Sequence, residues 1–140
     1  MAPSLVAVVL TNVMMNGFFY PQLNKYQSGR LVANYINEHH LTTDNFMFFR
    51  KHFHIVNFYT KEYKYEFTNP SALKKHLVEQ DIYLFTNDEG LKMLRDNEIT
   101  YHMEKRLYNF PNTELTGEFL NPKTRKNALE PLYIVRAEKE

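Results

Sequence analysis

An uncharged and largely apolar run, residues 5–20, opens the chain, and Pro21 follows it directly. A transmembrane helix needs about 20 mostly apolar residues, so this run is short for a complete span and suits the last turns of one. A buried core helix or strand has the same composition. A signal peptide would need basic residues before the run, yet Lys25 is the first base. We expect any helix formed here to stop at Pro21, because proline lacks the backbone donor.

After Pro21, apolar residues recur at helical spacing with polar residues between them: Leu23, Tyr26, Val32, Tyr35 and Ile36. This pattern predicts an amphipathic helix, broken near Gly29, that ends around His39 and His40. The polar turn over residues 42–45 follows it.

Two continuous apolar runs, residues 46–49 and 82–85, are typical of strands that are covered on both faces. Residues 52–60 fit both a strand and a helix, and the helix is slightly favoured. Tyr63, Tyr65 and Phe67 alternate with Lys64 and Glu66, which predicts a half-buried strand suited to an edge of the sheet.

Capping signals predict two further helices. Asn69 and Pro70 form a helix start, because asparagine caps the free N–H groups and proline at the first helical position loses nothing. Residues 86–89 supply a cap and two first-turn acids for the second helix. The predicted core faces of the two helices consist of leucines: Leu73, Leu77, Leu91 and Leu94.

The C-terminal part continues this alternation of strands and helices. Residues 99–108 begin as a strand, residues 109–117 are rich in turn formers, and residues 115–120 are expected to return as a strand. Asn121-Pro122 opens a short basic helix over residues 123–129, and residues 132–135 form a last strand. We therefore predict an α/β fold with a mainly parallel, twisted sheet flanked by helices, in which the last strand is free to run antiparallel.

Composition narrows the classes of partner and chemistry. Lys and Arg number 17 against 16 Asp and Glu, and the two signs are interleaved, so no nucleic-acid partner is expected. The absence of cysteine excludes disulfides, thiolate metal sites and cysteine nucleophiles. The Phe and Tyr residues are explained by strands more readily than by a sugar-stacking surface.

Nucleotide-binding and hydrolase motifs are absent. The four glycines form neither a GxGxxG nor a GxxxxGK[ST] loop: Gly17, Gly29, Gly90 and Gly117. No GxSxG elbow occurs either.

Histidines give the best case for a metal site, since His52 and His54 would share one face of a strand, with His39, His40 and Asp44 nearby in sequence. This spacing is weakly specific, and we expect surface or boundary histidines and no metal ligand.

Charged groups elsewhere have structural explanations. Helix caps and solvent-facing positions account for four carboxylates: Asp81, Asp88, Glu89 and Asp96. Lys123, Arg125 and Lys126 suit a solvated helix face, and they would meet lipid phosphates if the domain packed against a bilayer.

The order of several short motifs resembles the C-terminal end of bacterial integral-membrane glycosyltransferases of the protein O-mannosyltransferase and aminoarabinose transferase superfamily. The junction reads Phe18-Phe19-Tyr20-Pro21-x-Leu23-x-x-Tyr26-Gln27. The helix over residues 31–37, the pair Phe58-Tyr59, the strand over residues 82–85 and the segment Gly117-x-Phe119-Leu120-Asn121-Pro122 follow in similar order. The resemblance covers nearly the whole chain from Leu5.

The resemblance implies a transferase that moves a sugar from a polyprenyl-phosphate donor to a lipid or protein acceptor. Its catalytic acids would lie in an extracytoplasmic loop upstream, so we expect this chain to contain no catalytic, cofactor-binding or metal-binding residue. Residues 1–21 would be the end of a membrane span, and residues 22–140 a single α/β domain on the periplasmic side of the inner membrane. Its partners would be the membrane, through the N-terminal segment and the missing upstream portion, and a lipid-linked sugar or acceptor.

An independent membrane-tethered or secreted binding module is the alternative. It would use the crevice at the strand ends of the α/β sheet for a small ligand or a protein.

Overall fold

The structure is a computed structural model that describes residues 2–51, 53–62, 64–110 and 117–139. In chain order the elements are α1 (Ala2–Met14), a π-helical turn (Met15–Phe19), α2 (Tyr20–Asn24), α3 (Ser28–Glu38), β1 (Phe46–Phe49), α4 (His54–Thr60), β2 (Glu66–Phe67), α5 (Pro70–Leu77), β3 (Ile82–Asn87), α6 (Asp88–Asp96), β4 (Tyr101–Asn109), α7 (Gly117–Leu120), a 3-10 helix (Arg125–Ala128) and β5 (Glu130–Ala137). They form two units. The helical unit contains Met1–Gln27 and Phe110–Leu129, and the sheet unit contains Ser28–Asn109 and Glu130–Glu140.

In the helical unit, the N-terminal helix does not stop at Pro21, so that prediction was wrong. A π-helical turn over Met15–Phe19 joins α1 to α2, and α2 contains Pro21 in its first turn. A proline ring normally clashes with the carbonyl four residues earlier, here that of Gly17. The wider π turn changes the path of the backbone at this point. The helical path therefore continues to Asn24.

The sheet unit contains a five-stranded sheet with the order β2-β1-β3-β5-β4. β1 is parallel to β2 and β3, whereas β5 is antiparallel to both β3 and β4. The α/β class with flanking helices is confirmed, but the sheet is mixed and the prediction of a mainly parallel sheet was wrong. Burial on both faces makes a strand uniformly apolar, and an apolar run such as residues 132–135 carries no information about direction.

Helices cover both faces of the sheet. Phe46 and Phe48 of β1 point into one core, and Met47 and Phe49 point into the other, as the two-residue period of a strand requires. α3 and α4 contribute the helix residues of the first core: Val32, Ala33, Tyr35, Ile36 and Val56. α5 and α6 contribute those of the second: Leu73, Leu77, Leu91 and Leu94. The connections after β1 and after β2 thus carry their helices to opposite faces.

Most predicted elements of the sheet unit are confirmed, including both doubly buried strands and the helix at residues 52–60, which begins at His54. The break in the first helix falls before Ser28, and Gly29 lies inside α3. A Cβ on Gly29 would come within 2.1 Å of Ile55 Cγ2, so this glycine allows α3 and α4 to approach closely. β2 is only Glu66–Phe67, at an edge as expected. Tyr63 lies outside the described residues.

Two helices of the sheet unit end in the same way. The N–H of Leu41 donates to Ile36 O at 2.9 Å, and that of Ile99 donates to Leu94 O at 3.0 Å. The preceding residues, His40 and Glu98, have φ of 52° and 58°. These are Schellman ends, in which a left-handed residue satisfies the last carbonyls and turns the next apolar residue into the core.

The segment before β5 differs from its prediction. Gly117–Leu120 is helical, so a strand at this place was wrong, and residues 111–116 lie outside the described residues. Asn121 does cap the following turn, since its Oδ1 accepts from the N–H of Lys123 at 3.0 Å. The basic helix after it is the short 3-10 helix Arg125–Ala128.

Candidate functional site

The N-terminal helix exposes its apolar side chains. Six of them are between 53% and 69% exposed: Leu5, Val6, Val8, Val9, Leu10 and Val13. Ser4–Asn24 form a helical stretch of 21 residues, in which an 18-residue window has a mean hydropathy of 1.3 and none of its residues buried. At 1.5 Å per residue it is about 31 Å long, close to the thickness of a bilayer's hydrocarbon core. Such a helix is compatible with a membrane span and with a signal sequence.

Three polar side chains of this helix bond to its own backbone. Thr11 Oγ1 donates to Ala7 O at 2.9 Å, Asn12 Nδ2 donates to Val8 O at 3.2 Å, and Asn16 Nδ2 donates to Asn12 O at 2.9 Å. A polar group in hydrocarbon must find its partner inside the protein. These bonds lower the free-energy cost of placing Thr11, Asn12 and Asn16 in a bilayer.

An apolar groove of about 190 Å³ lies in the helical unit. Its lining comes from the end of the N-terminal helix and from the segment after residue 116: Met14, Phe18, Phe19, Gln22, Phe119 and Arg125. Phe119 is buried, and its ring stacks on that of Phe110 with the centroids 3.8 Å apart. The exposed aromatic side chains of Phe18 and Tyr20 are of the kind found at membrane–water interfaces.

Charged and polar side chains of the sheet unit cluster at the carboxyl ends of β1 and β3. We call this cluster the polar crevice, after the position that ligand crevices occupy in α/β folds. The chain leaves β1 through Arg50 and Lys51 towards α4 on one face, and leaves β3 through Asp88 and Glu89 into α6 on the other. Ligands of α/β proteins bind where the connections after two adjacent parallel strands leave to opposite faces of the sheet. β5 begins beside this point with Glu130, since it is antiparallel to β3.

Ion pairs and a hydrogen bond link the groups of this crevice. Arg50 pairs with Glu89, and Lys51 Nζ lies 2.8 Å from Glu130 Oε1. Tyr133 donates its hydroxyl to Asp88 Oδ1 at 2.7 Å. Burial, and then the hydrogen bond to Asp88, raise the pKa of Tyr133 above its usual value, so its phenol stays a donor.

This arrangement can bind a polar ligand, because side chains of both signs and a phenol converge on one edge of the sheet. Thr86, just before the crevice, is buried and donates to Phe49 O at 2.8 Å, which ties β3 to β1. Asn87 accepts the N–H of Gly90 at 3.0 Å as the cap of α6, as residues 86–89 predicted. These two hydrogen bonds fix the ends of β1 and β3 next to the charged groups.

The alternation pattern failed to predict a buried lysine. Lys64 was expected on the polar side of an edge strand, but its side chain is fully buried. Its Nζ donates to Leu41 O at 3.2 Å and to Glu62 Oε2 at 2.7 Å. This ammonium group joins the loop before β1 to the segment before β2, and its role is structural.

The histidines do not assemble into a metal site within the described residues, which contain no group of three or more His, Cys, Asp or Glu able to hold a metal ion. His54 lies on a helix and not on the strand that the metal hypothesis required, while His52 lies outside the described residues. His39 stacks on Tyr35 at 3.9 Å, and its Nδ1 lies 2.9 Å from Tyr35 O.

Comparison with known proteins adds no assignment. No protein-family model matches the chain, and no curated protein or solved structure matches it.

Proposed function

We propose that this chain is the noncatalytic C-terminal part of a bacterial inner-membrane glycosyltransferase. Its N-terminal helix would be the last membrane span, and its sheet unit would lie on the periplasmic side. The proposal rests on the order of motifs that resembles this superfamily. The observation that carries it is the exposed apolar helix Ser4–Asn24, in which Thr11, Asn12 and Asn16 bond to the helix backbone.

The role proposed for the sheet unit is accessory. The full protein would transfer a sugar from a polyprenyl-phosphate donor to a lipid or protein acceptor, with its catalytic acids upstream of this chain. The acids of the crevice, Asp88, Glu89 and Glu130, are each bonded to a neighbour. This pairing favours a domain that covers the membrane portion or shapes access of the acceptor.

The first test is the coding sequence upstream of Met1. The proposal expects it to continue in frame into several hydrophobic spans and an extracytoplasmic loop with acidic residues. A stop codon directly upstream, with no such spans, would contradict the transferase assignment.

The second test is topology in cells. The chain has no cysteine, so Lys92→Cys on α6 and Val9→Cys in the N-terminal helix each give a single labelling site. We expect a membrane-impermeant maleimide to label Lys92→Cys in intact spheroplasts and to leave Val9→Cys unlabelled until detergent is added. Labelling of Lys92→Cys only after lysis would place the sheet unit on the cytoplasmic side and contradict the proposal.

The second candidate function is an independent binding module, and the polar crevice favours it. A panel of free sugars and polyprenyl phosphates would be screened for thermal stabilisation of the full chain, since a ligand that binds the folded state raises its stability. We expect Lys51→Met to abolish stabilisation by a ligand of the crevice. Lys75→Met, at an exposed position of α5, should leave it unchanged.

A further inference from the structure

The groove of the helical unit has a positively charged residue at its edge. Five of its lining residues are Met, Phe or Gln, and the sixth is Arg125. Apolar walls beside a single guanidinium are the complement of a molecule with a hydrocarbon chain and an anionic head.

The guanidinium of Arg125 is held in place from one side. Its Nε donates to Phe119 O at 2.8 Å. The guanidinium carbon lies 5.3 Å from the centre of the Phe119 ring and 5.9 Å from that of Tyr26, within the range of a cation–π contact. Among the described residues, no acceptor bonds to its two Nη groups. Within the described part of the chain, these two groups form a two-pronged donor, the geometry that suits phosphate oxygens.

The surrounding charge has the same sign. Lys123 and Lys126 flank Arg125 and are exposed, and Lys25 follows the end of α2. In the described part of the helical unit, these four basic residues are accompanied by a single acidic residue, Glu118. Basic residues next to a membrane span attract anionic lipids.

The groove also lies at the correct end of the helix for a lipid. Phe18, Phe19 and Gln22 come from the last turns of the stretch Ser4–Asn24. If this stretch spans a bilayer, its last turns lie at the level of the lipid head groups, where a phosphate is next to the start of its acyl chains.

We propose that the groove binds an anionic glycerophospholipid of the surrounding bilayer. The two Nη groups of Arg125 donate to the lipid phosphate, Lys123 and Lys126 add attraction, and an acyl chain lies against Met14, Phe18 and Phe119. The inference rests on the membrane-span part of the proposed function and is independent of the transferase assignment.

The test uses tryptophan fluorescence, because the chain contains no Trp. Phe18 is 70% exposed and lines the groove, so Phe18→Trp provides a reporter in the full chain. The protein is placed in nanodiscs of phosphatidylcholine containing a fixed fraction of brominated phosphatidylglycerol or, in parallel, of brominated phosphatidylcholine. The dependence of Trp quenching on the fraction of brominated lipid gives an apparent affinity for each lipid. We expect the ratio of the affinity for phosphatidylglycerol to that for phosphatidylcholine to be at least three.

Charge variants in the reporter background assign this preference. We expect Arg125→Gln to remove most of the preference, because a neutral amide lacks the charge-assisted donors. Arg125→Lys should keep part of it, and Lys126→Gln, which leaves the bond to Phe119 in place, should lower it partly. Arg30→Gln on α3 removes an exposed arginine of the sheet unit and should have no effect.

Three results would overturn the assignment. They are equal quenching by the two brominated lipids, a preference that Arg125→Gln leaves unchanged, and relief of the quenching by unlabelled polyprenyl phosphate more than by unlabelled phosphatidylglycerol. An unchanged Trp emission maximum in pure phosphatidylcholine verifies that Arg125→Gln leaves the groove intact. Failure of the chain to enter nanodiscs at all would instead contradict the membrane span, so the two proposals fail separately.

Discussion

Two apolar regions of this chain have similar composition and opposite burial. In β1, Phe46, Phe48 and Phe49 are completely buried, whereas Leu5 and Leu10 of α1 are 69% and 62% exposed. The strands lie between two layers of helices that the chain itself supplies. The described part of the chain supplies no such cover for α1. An apolar segment requires burial, and the rest of the chain decides whether protein provides it.

The largest effect is expected from the buried region. Phe48→Ala should lower the free energy of unfolding by about 3–5 kcal/mol, because the side chain is fully buried and leaves a cavity. Urea unfolding of the full chain in detergent micelles measures this change. Phe58→Ala is the matched control, since Phe58 is 78% exposed, and it should change stability by less than about 0.5 kcal/mol. Equal losses in the two variants would contradict the burial described here.

A charged substitution in the exposed region should change membrane insertion and leave the free energy of unfolding unchanged. Val9→Arg places a charge in the middle of the N-terminal helix and should disfavour membrane insertion by about 3 kcal/mol. Flotation with liposomes measures insertion, and micelle unfolding should be unchanged. Val78→Arg, at an exposed position after α5, should leave insertion as it is. If both variants float like the parent protein, the helix is not held by hydrocarbon.

Replacing a glycine with alanine should change stability in opposite directions in the two regions. A Cβ on Gly90 would lie 1.8 Å from Thr86 Oγ1, the hydroxyl that bonds to Phe49 O. Gly90→Ala should therefore cost about 1–3 kcal/mol through the displaced buried bond. A Cβ on Gly17 meets no atom within 4 Å, and Gly17→Ala should stabilise its helix by up to about 1 kcal/mol. Thermal unfolding of both variants checks the signs.

The smallest effect concerns a phenol of the sheet. The pKa of Tyr133 is raised in the folded state, first by burial and then by Asp88. Its folded-state pKa lies above its unfolded value of about 10, so its contribution to stability is complete below pH 10 and is lost as the pH rises through the folded-state pKa. Tyr133→Phe should flatten the loss of stability as the pH rises above about 10. A profile that falls as steeply as in the parent protein would contradict this assignment.

Burial explains which elements the sequence predicts well. The runs at residues 46–49 and 82–85 became strands, and Asn69 and Asn87 cap the helices that follow them. Each of these signals is local, because a few neighbouring residues decide the outcome. Strand direction is not local: β5 pairs with β3 and β4 through contacts far apart along the chain. The mixed sheet was missed for that reason.

The candidate sites were less accessible to sequence reasoning. The crevice at the strand ends was an expected feature of the fold, but Lys51 and Glu130 stand 79 positions apart and no pattern links them. Arg50 and Lys51 directly after a buried strand are the signal that was available. Arg125 was assigned to a solvated face, because the bond to Phe119 O depends on a turn that its neighbours do not predict.

The hairpin formed by β4 and β5 has a consequence for the modularity of the protein. Asn109 and Glu130 are direct partners in the antiparallel pair, so the strands already meet where segment 110–129 departs and returns. A two-residue turn such as Asn-Gly can close such a pair. The sheet therefore does not need a 20-residue connection between β4 and β5 in order to fold. The inserted segment is open to replacement by protein engineering, because the sheet does not need it to join β4 to β5.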